Sequence, residues 1–132
     1  KITMNHDILN LDDIKLLVNT FYDNVRKDEF IGPIFEGVIQ DRWPEHLEKM
    51  YRFWQTVLLE EHTYYGSPFG PHAKLPVSLE HFECWIGIFT QTIDQLFSGA
   101  KANEAKMRAT NMAQMFHHKI EYYKNNSASP LN

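Results

Sequence analysis

Histidine is the residue type in this chain that most readily suggests chemistry, because seven histidines occur in 132 residues. A di-iron carboxylate site needs two Glu-x-x-His pairs on facing helices, and the sequence contains no such pair. The His-Glu-x-x-His motif of zinc proteases is also absent, and the single cysteine, Cys84, rules out a cysteine-rich zinc cage. His117 and His118 precede Glu121 by four and three residues, but two ligands are too few for a metal site. We therefore expect a solvated helical face there.

Nucleophilic and phosphate-binding chemistry has no motif in this sequence. Cys84 lies among apolar residues, which is typical of a buried thiol, and there is neither a Gly-x-Ser-x-Gly elbow nor a glycine loop that would cradle phosphates. The net charge of -4 provides no basic stripe, so we expect neither a nucleic-acid partner nor a membrane partner. No apolar run approaches the ~18 residues that cross a bilayer, and we expect a cytoplasmic protein.

Three residues are polar at positions where a helix would be apolar. Tyr22 and Trp85 each lie within an apolar stripe, and His46 stands at the head of another. A buried O–H or N–H group without a partner costs about 1–3 kcal/mol, so such groups usually find a hydrogen bond. If the three faces converge, these side chains surround a ligand. Otherwise Tyr22 and Trp85 are ordinary core aromatics and His46 lies at the rim of the core.

His72 lies in the least helical stretch of the chain, GSPFGPHAKLPV, which spans residues 66–77. Three prolines and two glycines prevent a long helix there, and the prolines reduce the number of backbone states. From the residues alone, the favoured interpretation of His72 is an ordinary surface histidine.

Apolar residues three and four positions apart predict that helices carry most of these side chains. Four long helices and a short one at GPIFEGVI, with Phe35 pointing inward, give an all-α domain. An irregular segment is expected at about residues 63–77, an N-terminal arm at 1–10, the domain at 11–124 and a disordered tail at 125–132. The predicted core-facing positions are Ile14, Leu17, Val18, Phe21, Tyr22 and Val25; His46, Met50, Phe53, Trp54 and Val57; Phe82, Trp85, Ile86, Phe89 and Ile93; and Ala105, Ala109, Met112, Met115, Phe116 and Ile120.

Four stretches of the sequence together resemble the group III truncated haemoglobins. They are FYDNVRKDEFIGPIF, RWPEHLEKMYRFWQTVLL, PHAKLPVSLEHFECWIGIF and RATNMAQMFHHKIEYY, and the resemblance covers roughly Leu11 to Lys124. The order and spacing of Phe-Tyr, Glu-His, His-x-x-Leu-Pro and the tryptophan that follows are specific only in combination. The resemblance implies a shortened globin fold in which helices sandwich a haem. The sequence also lacks the glycine pairs that mark the other two groups.

The resemblance assigns roles to particular residues. It implies that His72 ligates the iron on the proximal side and that Tyr22, His46 and Trp85 surround the sixth coordination position. The apolar contacts to the porphyrin are then Phe35, Met50, Phe53, Trp54, Phe82 and Phe89. Just before His72, Gly70 and Pro71 replace the basic residues expected to face the haem propionates. Other candidates for that role are Lys49, Arg52, Tyr65 and Lys74.

The function implied by the resemblance is the binding of O2, NO and CO by haem b. The Tyr22 hydroxyl and the Trp85 indole are both hydrogen-bond donors, and tight retention of O2 suits NO dioxygenation or peroxide chemistry better than transport. Such chemistry implies a reductase, and we expect a monomer. Two alternatives remain at this point: a reversible O2 carrier or sensor, and a haem-free helical interaction module.

Overall fold

The computed structural model describes residues 5–66 and 77–126, and within them the secondary structure is entirely helical. The five helices are α1 (Leu11–Lys27), α2 (Gly32–Ile39), α3 (Trp43–Leu59), α4 (Leu79–Leu96) and α5 (Ala100–Asn126). The predicted all-α class is therefore confirmed. None of the helices in these two ranges combines the length and the apolar character that a membrane crossing requires.

Helix α1 is the central helix, since it packs against α2, α3 and α4. The Asn10 side chain caps its start by accepting a hydrogen bond from the Asp13 N–H at 3.0 Å. All of its predicted core positions are buried: Ile14, Leu17, Val18, Phe21, Tyr22 and Val25. The sequence stripe thus gave the orientation of α1 correctly, including the inward position of Tyr22.

Helices α1 and α2 approach each other closely at Gly32. A Cβ atom at this position would lie 2.9 Å from the Val25 carbonyl oxygen, so a larger residue would push the helices apart. Asp28 fixes the turn between the helices, because its Oδ1 accepts hydrogen bonds from the N–H groups of Phe30 at 2.8 Å and Ile31 at 3.0 Å. The turn brings Phe35 of α2 beside α1.

Helix α3 differs from the prediction in which residues it buries. Pro44 lies in its first turn, where a proline is tolerated, and Trp54 is buried as predicted. The other predicted stripe positions are only half-buried, and they are His46, Met50, Phe53 and Val57. Three of these four line a cavity, so the face that the sequence assigned to the core is largely a cavity wall.

Helices α4 and α5 pack against each other and close the other side of the domain. Ser78 is the N-terminal cap of α4, and its N–H donates a hydrogen bond to His81 Nδ1 at 2.9 Å. Asp7 caps α5 by accepting from the N–H groups of Lys101 at 2.9 Å and Ala102 at 2.8 Å. Part of the predicted N-terminal arm thus holds a helix end.

The core face of α5 corrects one predicted position. Met115 is 45% exposed, whereas the expectation placed it in the core. The buried face follows a regular three-and-four spacing that Met115 does not fit: Ala102, Ala105, Ala109, Ala113, Phe116 and Ile120. The helix also includes Asn125 and Asn126, the first two residues of the predicted tail.

Candidate functional site

A cavity of about 740 Å³ lies among all five helices and the segment that follows α3. Its volume is in the range of cofactor and ligand pockets. With the exception of Phe89, the site residues that the sequence predicted within the described ranges all line it. These are Tyr22, Phe35, His46, Lys49, Met50, Arg52, Phe53, Trp54, Tyr65, Phe82 and Trp85. His72 and Lys74, as well as Gly70 and Pro71, lie outside the described residues.

Tyr22 of α1 and His46 of α3 meet at one end of the cavity. Their ring centroids lie 5.0 Å apart at 81°, an edge-to-face arrangement, and Phe35 of α2 lies 6.0 Å from Tyr22. We call the Tyr22–His46 pair with its surrounding rings the Tyr22–His46 corner. Three helices contribute to it, so its geometry depends on how those helices pack.

The Tyr22 hydroxyl is protonated and unpaired within the described part of the chain. Burial raises the pKa of Tyr22 above its ordinary value, because the phenolate would lose its hydration. Only 7% of the residue is exposed, and no described residue forms a hydrogen bond with its hydroxyl. A buried O–H donor in the wall of a cavity is therefore available to a ligand.

Trp85 of α4 forms a second polar point in the cavity wall. Its ring stacks on Phe89 with centroids 5.6 Å apart and planes at 7°, and Phe21 meets it edge-on at 5.4 Å. Among residues 5–66 and 77–126, none accepts a hydrogen bond from its indole N–H. Indole is a donor only, so the Trp85 N–H gives the cavity wall a second hydrogen-bond donor beside the Tyr22 hydroxyl.

Phe89 lies behind the cavity wall and not in it. The sequence-based expectation was a porphyrin contact, but Phe89 is 1% exposed and is absent from the lining. It stacks on Trp54 at 5.1 Å as well as on Trp85, so it sits between two lining residues and the core. Phe89 lies one helical turn beyond Trp85 on α4, and at that point the helix is deeper in the domain. Its side chain therefore packs in the core and does not reach the cavity.

Charged and polar groups from α3 and from the residues after it form one polar part of the cavity wall. The Arg52 Nε lies 2.7 Å from Glu48 Oε2, so part of its charge is already neutralised. Lys49 is exposed and has no carboxylate partner in the described ranges. Tyr65 is 80% exposed, and its hydroxyl donates to the His62 carbonyl at 3.2 Å.

The segment after α3, residues 60–66, is tied to the helix through the Thr56 hydroxyl. This group donates to the Arg52 carbonyl at 2.9 Å and accepts from the N–H groups of Thr63 at 3.0 Å and Tyr64 at 2.9 Å. The Thr63 hydroxyl in turn lies within 3.1 Å of the Arg52 carbonyl. The one donor and two acceptor positions of the Thr56 hydroxyl are thereby all used. We call residues 60–66, with their anchors on α3, the post-α3 segment.

Several lining residues were not predicted as site residues. Tyr64 meets Phe53 edge-on at 5.4 Å, and burial raises its pKa above the ordinary value. Met112 and Phe116 of α5 were predicted to face the core of the domain. That inward orientation is the sequence signal that could have placed them in the cavity wall. The other unpredicted lining residues include Ile31, Ile34, Val38, Ile39, Arg42, Glu45, Glu48, Thr63, Val77, His81 and Ala113.

A metal site made of protein side chains is not evident at this or any other described position. No group of three His, Cys, Asp or Glu residues in the described ranges converges as a set of ligands. His117 Nε2 and Glu121 Oε2 are 4.0 Å apart on α5, and His117 also contacts Phe82 edge-on at 5.7 Å.

A helical domain with an aromatic cavity, and with two donors in its wall that have no partner among the described residues, has the features of a ligand-binding protein. The sequence matches the family model of the bacterial-like globins over residues 6–121. It is 33% identical over 124 residues to the group 3 truncated hemoglobin ctb of Campylobacter jejuni, with 91% of this chain and 98% of the relative covered. The crystal structure of group III truncated hemoglobin from Campylobacter jejuni matches with a TM-score of 0.81 at 33% identity, over 89% of this chain and 95% of that chain.

This chain therefore belongs to the bacterial-like globin family. The predicted identification as a group III truncated haemoglobin and the predicted shortened globin fold are both confirmed. Membership in the globins makes the chain a haem protein that binds diatomic ligands such as O2.

The residues of the cavity fit a haem. Aromatic and aliphatic side chains form most of the wall, which suits the porphyrin, and the donors of Tyr22 and Trp85, without partners in the described ranges, suit a small polar ligand. Lys49 and Arg52 lie at the polar side, where cations suit propionate carboxylates.

Proposed function

We propose that this protein holds haem b with His72 as the proximal ligand and uses Tyr22 and Trp85 to retain O2 for chemistry. The observation that carries the proposal is the presence of two donors in the wall of one cavity, the buried Tyr22 hydroxyl and the half-buried Trp85 N–H, neither of which has a partner among the described residues. The similarity to group III truncated haemoglobins over nearly the whole chain supports the proximal assignment of His72.

The two donors suit a ligand that carries negative charge. When bound, haem supplies an iron that gives O2 partial negative charge, whereas CO acquires less. The Tyr22 hydroxyl is a donor at neutral pH, since the ordinary pKa of tyrosine is about 10 and burial raises the pKa of Tyr22 further. A hydrogen bond to a charged acceptor contributes about 1.5–3 kcal/mol, so each donor slows O2 loss by about tenfold or more.

Strong retention favours reactions of O2 over its delivery. We therefore propose oxidation of NO by O2, or reduction of peroxide, as the use of the site. Either reaction needs electrons from outside the chain, so a reductase is a proposed partner, and a monomer is the proposed form. His46 is proposed to restrict access beside Tyr22, since its ring packs edge-on against the Tyr22 ring in the cavity wall.

The cations at the polar side are proposed to hold the haem propionates. Lys49, without a described carboxylate partner, is the stronger candidate, and Arg52 shares its charge with Glu48. Tyr65 can contribute its hydroxyl once its bond to the His62 carbonyl is released. Lys74 stays a candidate from the sequence.

The experiment compares O2 and CO dissociation from Tyr22→Phe, Trp85→Phe and the double variant. Each single variant should speed O2 dissociation by about tenfold or more and change CO dissociation much less, because only O2 presents a charged acceptor. Tyr51→Phe is the matched control, since the Tyr51 hydroxyl bonds to Asn19 and does not line the cavity. Equal acceleration of both ligands would show that the residues act sterically.

NO consumption by the oxygenated protein separates the proposed chemistry from reversible O2 carriage. The proposal expects rapid stoichiometric loss of NO when the two are mixed in a stopped-flow instrument. Mixing the protein with peroxide in the same way tests the second reaction. Slow reaction with both NO and peroxide, together with fast release of O2, would favour a carrier.

A further inference from the structure

Trp43 is a buried aromatic residue that touches the Tyr22–His46 corner from behind. It is 7% exposed and is not part of the cavity lining. Its ring centroid lies 5.6 Å from Tyr22 at 64° and 5.8 Å from His46 at 86°. With the 5.0 Å separation of Tyr22 and His46, the three rings form a triangle in which every pair meets edge-on.

Two charged side chains hold the Trp43 ring in this orientation. The Trp43 Nε1–H donates to Glu36 Oε1 at 2.7 Å, a short hydrogen bond to a carboxylate. The Arg26 guanidinium lies 4.4 Å from the centroid of the same ring and also pairs with Glu36, with 3.2 Å between Arg26 Nε and Glu36 Oε1. The ring is thereby fixed through its edge and its face.

The sequence places each of these residues beside a cavity residue. Arg26 follows Tyr22 by four positions on α1, and Trp43 precedes His46 by three positions on α3, so each pair shares a helix face. Glu36 directly follows Phe35 on α2. A second layer of side chains, one from each of three helices, therefore backs the first layer that lines the cavity.

We propose that Trp43, locked by Glu36 and Arg26, is a positioning residue that fixes the Tyr22 hydroxyl and the His46 ring for ligand binding. The inference rests on the proposed role of Tyr22 as a donor to O2. Trp43 does not itself line the cavity, so its effect on the ligand passes through the two rings that it contacts.

The physical basis is the angular preference of aromatic contacts. Edge-to-face pairs are favoured over other arrangements, so the Trp43 ring restricts rotation of Tyr22 and His46 away from their observed angles. Without that restriction, Tyr22 samples orientations in which its O–H no longer points to the ligand. Loss of the ring should therefore speed O2 dissociation by roughly threefold to tenfold, which is the fold-change that corresponds to the interaction energy of one aromatic pair.

The test uses the haem-loaded protein with Trp43→Leu, Trp43→Phe and Glu36→Ala, each made in the wild type and in Tyr22→Phe. Trp43→Leu should speed O2 dissociation by roughly threefold to tenfold, and the other two by about twofold, since they keep a ring but release its lock. The infrared stretching frequency of bound CO should shift toward that of Tyr22→Phe. Arg108→Gln, which breaks an exposed ion pair with Glu104 on α5, is the matched control and should change neither quantity.

The double-variant cycle decides between positioning and general structural damage. If Trp43 acts through Tyr22, the Trp43 substitutions should have little further effect in the Tyr22→Phe background. The proposal is overturned if Trp43→Leu speeds O2 dissociation equally in both backgrounds, or if it changes neither O2 dissociation nor the CO frequency. If Trp43→Leu does not fold, the same comparison is made with Trp43→Phe and Glu36→Ala. If Tyr22→Phe itself releases O2 at the wild-type rate, the result contradicts the proposed function and not the positioning role of Trp43.

Discussion

The Tyr22–His46 corner and the post-α3 segment bound the same cavity but are held by different forces. At the corner, Tyr22 of α1 and His46 of α3 meet edge-on at 5.0 Å, and Phe35 of α2 lies 6.0 Å from Tyr22. In the post-α3 segment, the main contacts are hydrogen bonds to Thr56 from residues seven and eight positions further along the chain. The corner therefore depends on helix packing, and the segment depends on a local hydrogen-bond network.

Because of this difference, substitutions in the two regions should affect different properties of the protein. Ring contacts are individually small and tolerate modest shifts, so a change at the corner should alter ligand kinetics before stability. A buried hydrogen-bond network loses most when one member is removed, because its partners are left unsatisfied. Changes in the post-α3 segment should therefore lower stability and weaken haem retention with little effect on the choice between O2 and CO.

The largest effect is expected at His72, the residue to which the post-α3 segment leads along the chain. His72→Ala should lose haem or bind it weakly, because the proposed proximal bond is removed, whereas Tyr22→Phe should keep its haem. The measurement is the intense haem absorption of the purified protein and the rate of haem transfer to an acceptor protein.

The matched control for this substitution is His62→Ala in the same segment. His62 is exposed and stacks on Tyr65 at 4.7 Å, so its loss should leave haem binding nearly unchanged. If His72→Ala keeps a wild-type spectrum and a wild-type rate of haem loss, His72 is not the proximal ligand.

An intermediate effect is expected for Thr56→Val, which keeps the side-chain shape but removes the hydroxyl. The N–H groups of Thr63 and Tyr64 would lose their acceptor, so the free energy of unfolding should fall by about 1–3 kcal/mol. Haem loss should become faster while the ratio of O2 to CO dissociation rates stays the same. Urea unfolding and ligand dissociation measure these quantities.

Thr110→Val on α5 is the control for this change. The Thr110 hydroxyl donates to the Lys106 carbonyl at 2.9 Å, the same bond that Thr56 makes to the Arg52 carbonyl, but it accepts no hydrogen bond from described backbone. Equal losses of stability in the two variants would show that the connection to the post-α3 segment contributes nothing.

The two regions also differ in how far the sequence could predict them. Tyr22 and Phe21 were placed correctly on α1, because a regular helical stripe determines which side chains turn inward. Trp43 was missed since it stands at the first position of α3, before the stripe begins, although its spacing from His46 could have revealed it. Phe89 was assigned to the cavity through the family resemblance, whereas periodicity placed it in the core, where the structure has it.

The post-α3 segment could not be predicted at the level of contacts. Proline and glycine predicted an irregular stretch at about residues 63–77, and its described residues 63–66 are not helical, but the role of Thr56 depends on the path of residues 60–66 back along α3. A threonine inside a helix carries no periodic signal that would identify it as an anchor. The sequence thus predicted the helical half of the site in greater detail than the irregular half.

The smallest effect is expected at Asp28, whose carboxylate supports the corner from the α1–α2 turn. Hydrogen bonds from the backbone, first from Ile31 and also from Phe30, lower the pKa of Asp28 below its ordinary value. Its contribution to stability is therefore present above the ordinary carboxyl pKa of about 3.9 and is lost as the pH falls through the lowered value. Because Asp28 is partly exposed, solvent screening keeps this contribution below about 1 kcal/mol.

Asp28→Asn should therefore lose less stability than the wild type when urea unfolding is repeated between about pH 6 and pH 3, through the window set by this carboxyl. Asp23→Asn, on the exposed face of α1, is the matched control and should follow the wild-type pH dependence. Asp28→Asn should also speed O2 dissociation slightly, because the turn positions α2 and hence the Glu36 that locks Trp43. Parallel pH curves for the wild type and Asp28→Asn would mean that the α1–α2 turn depends on ring packing alone, which would sharpen the contrast between the corner and the hydrogen-bonded post-α3 segment.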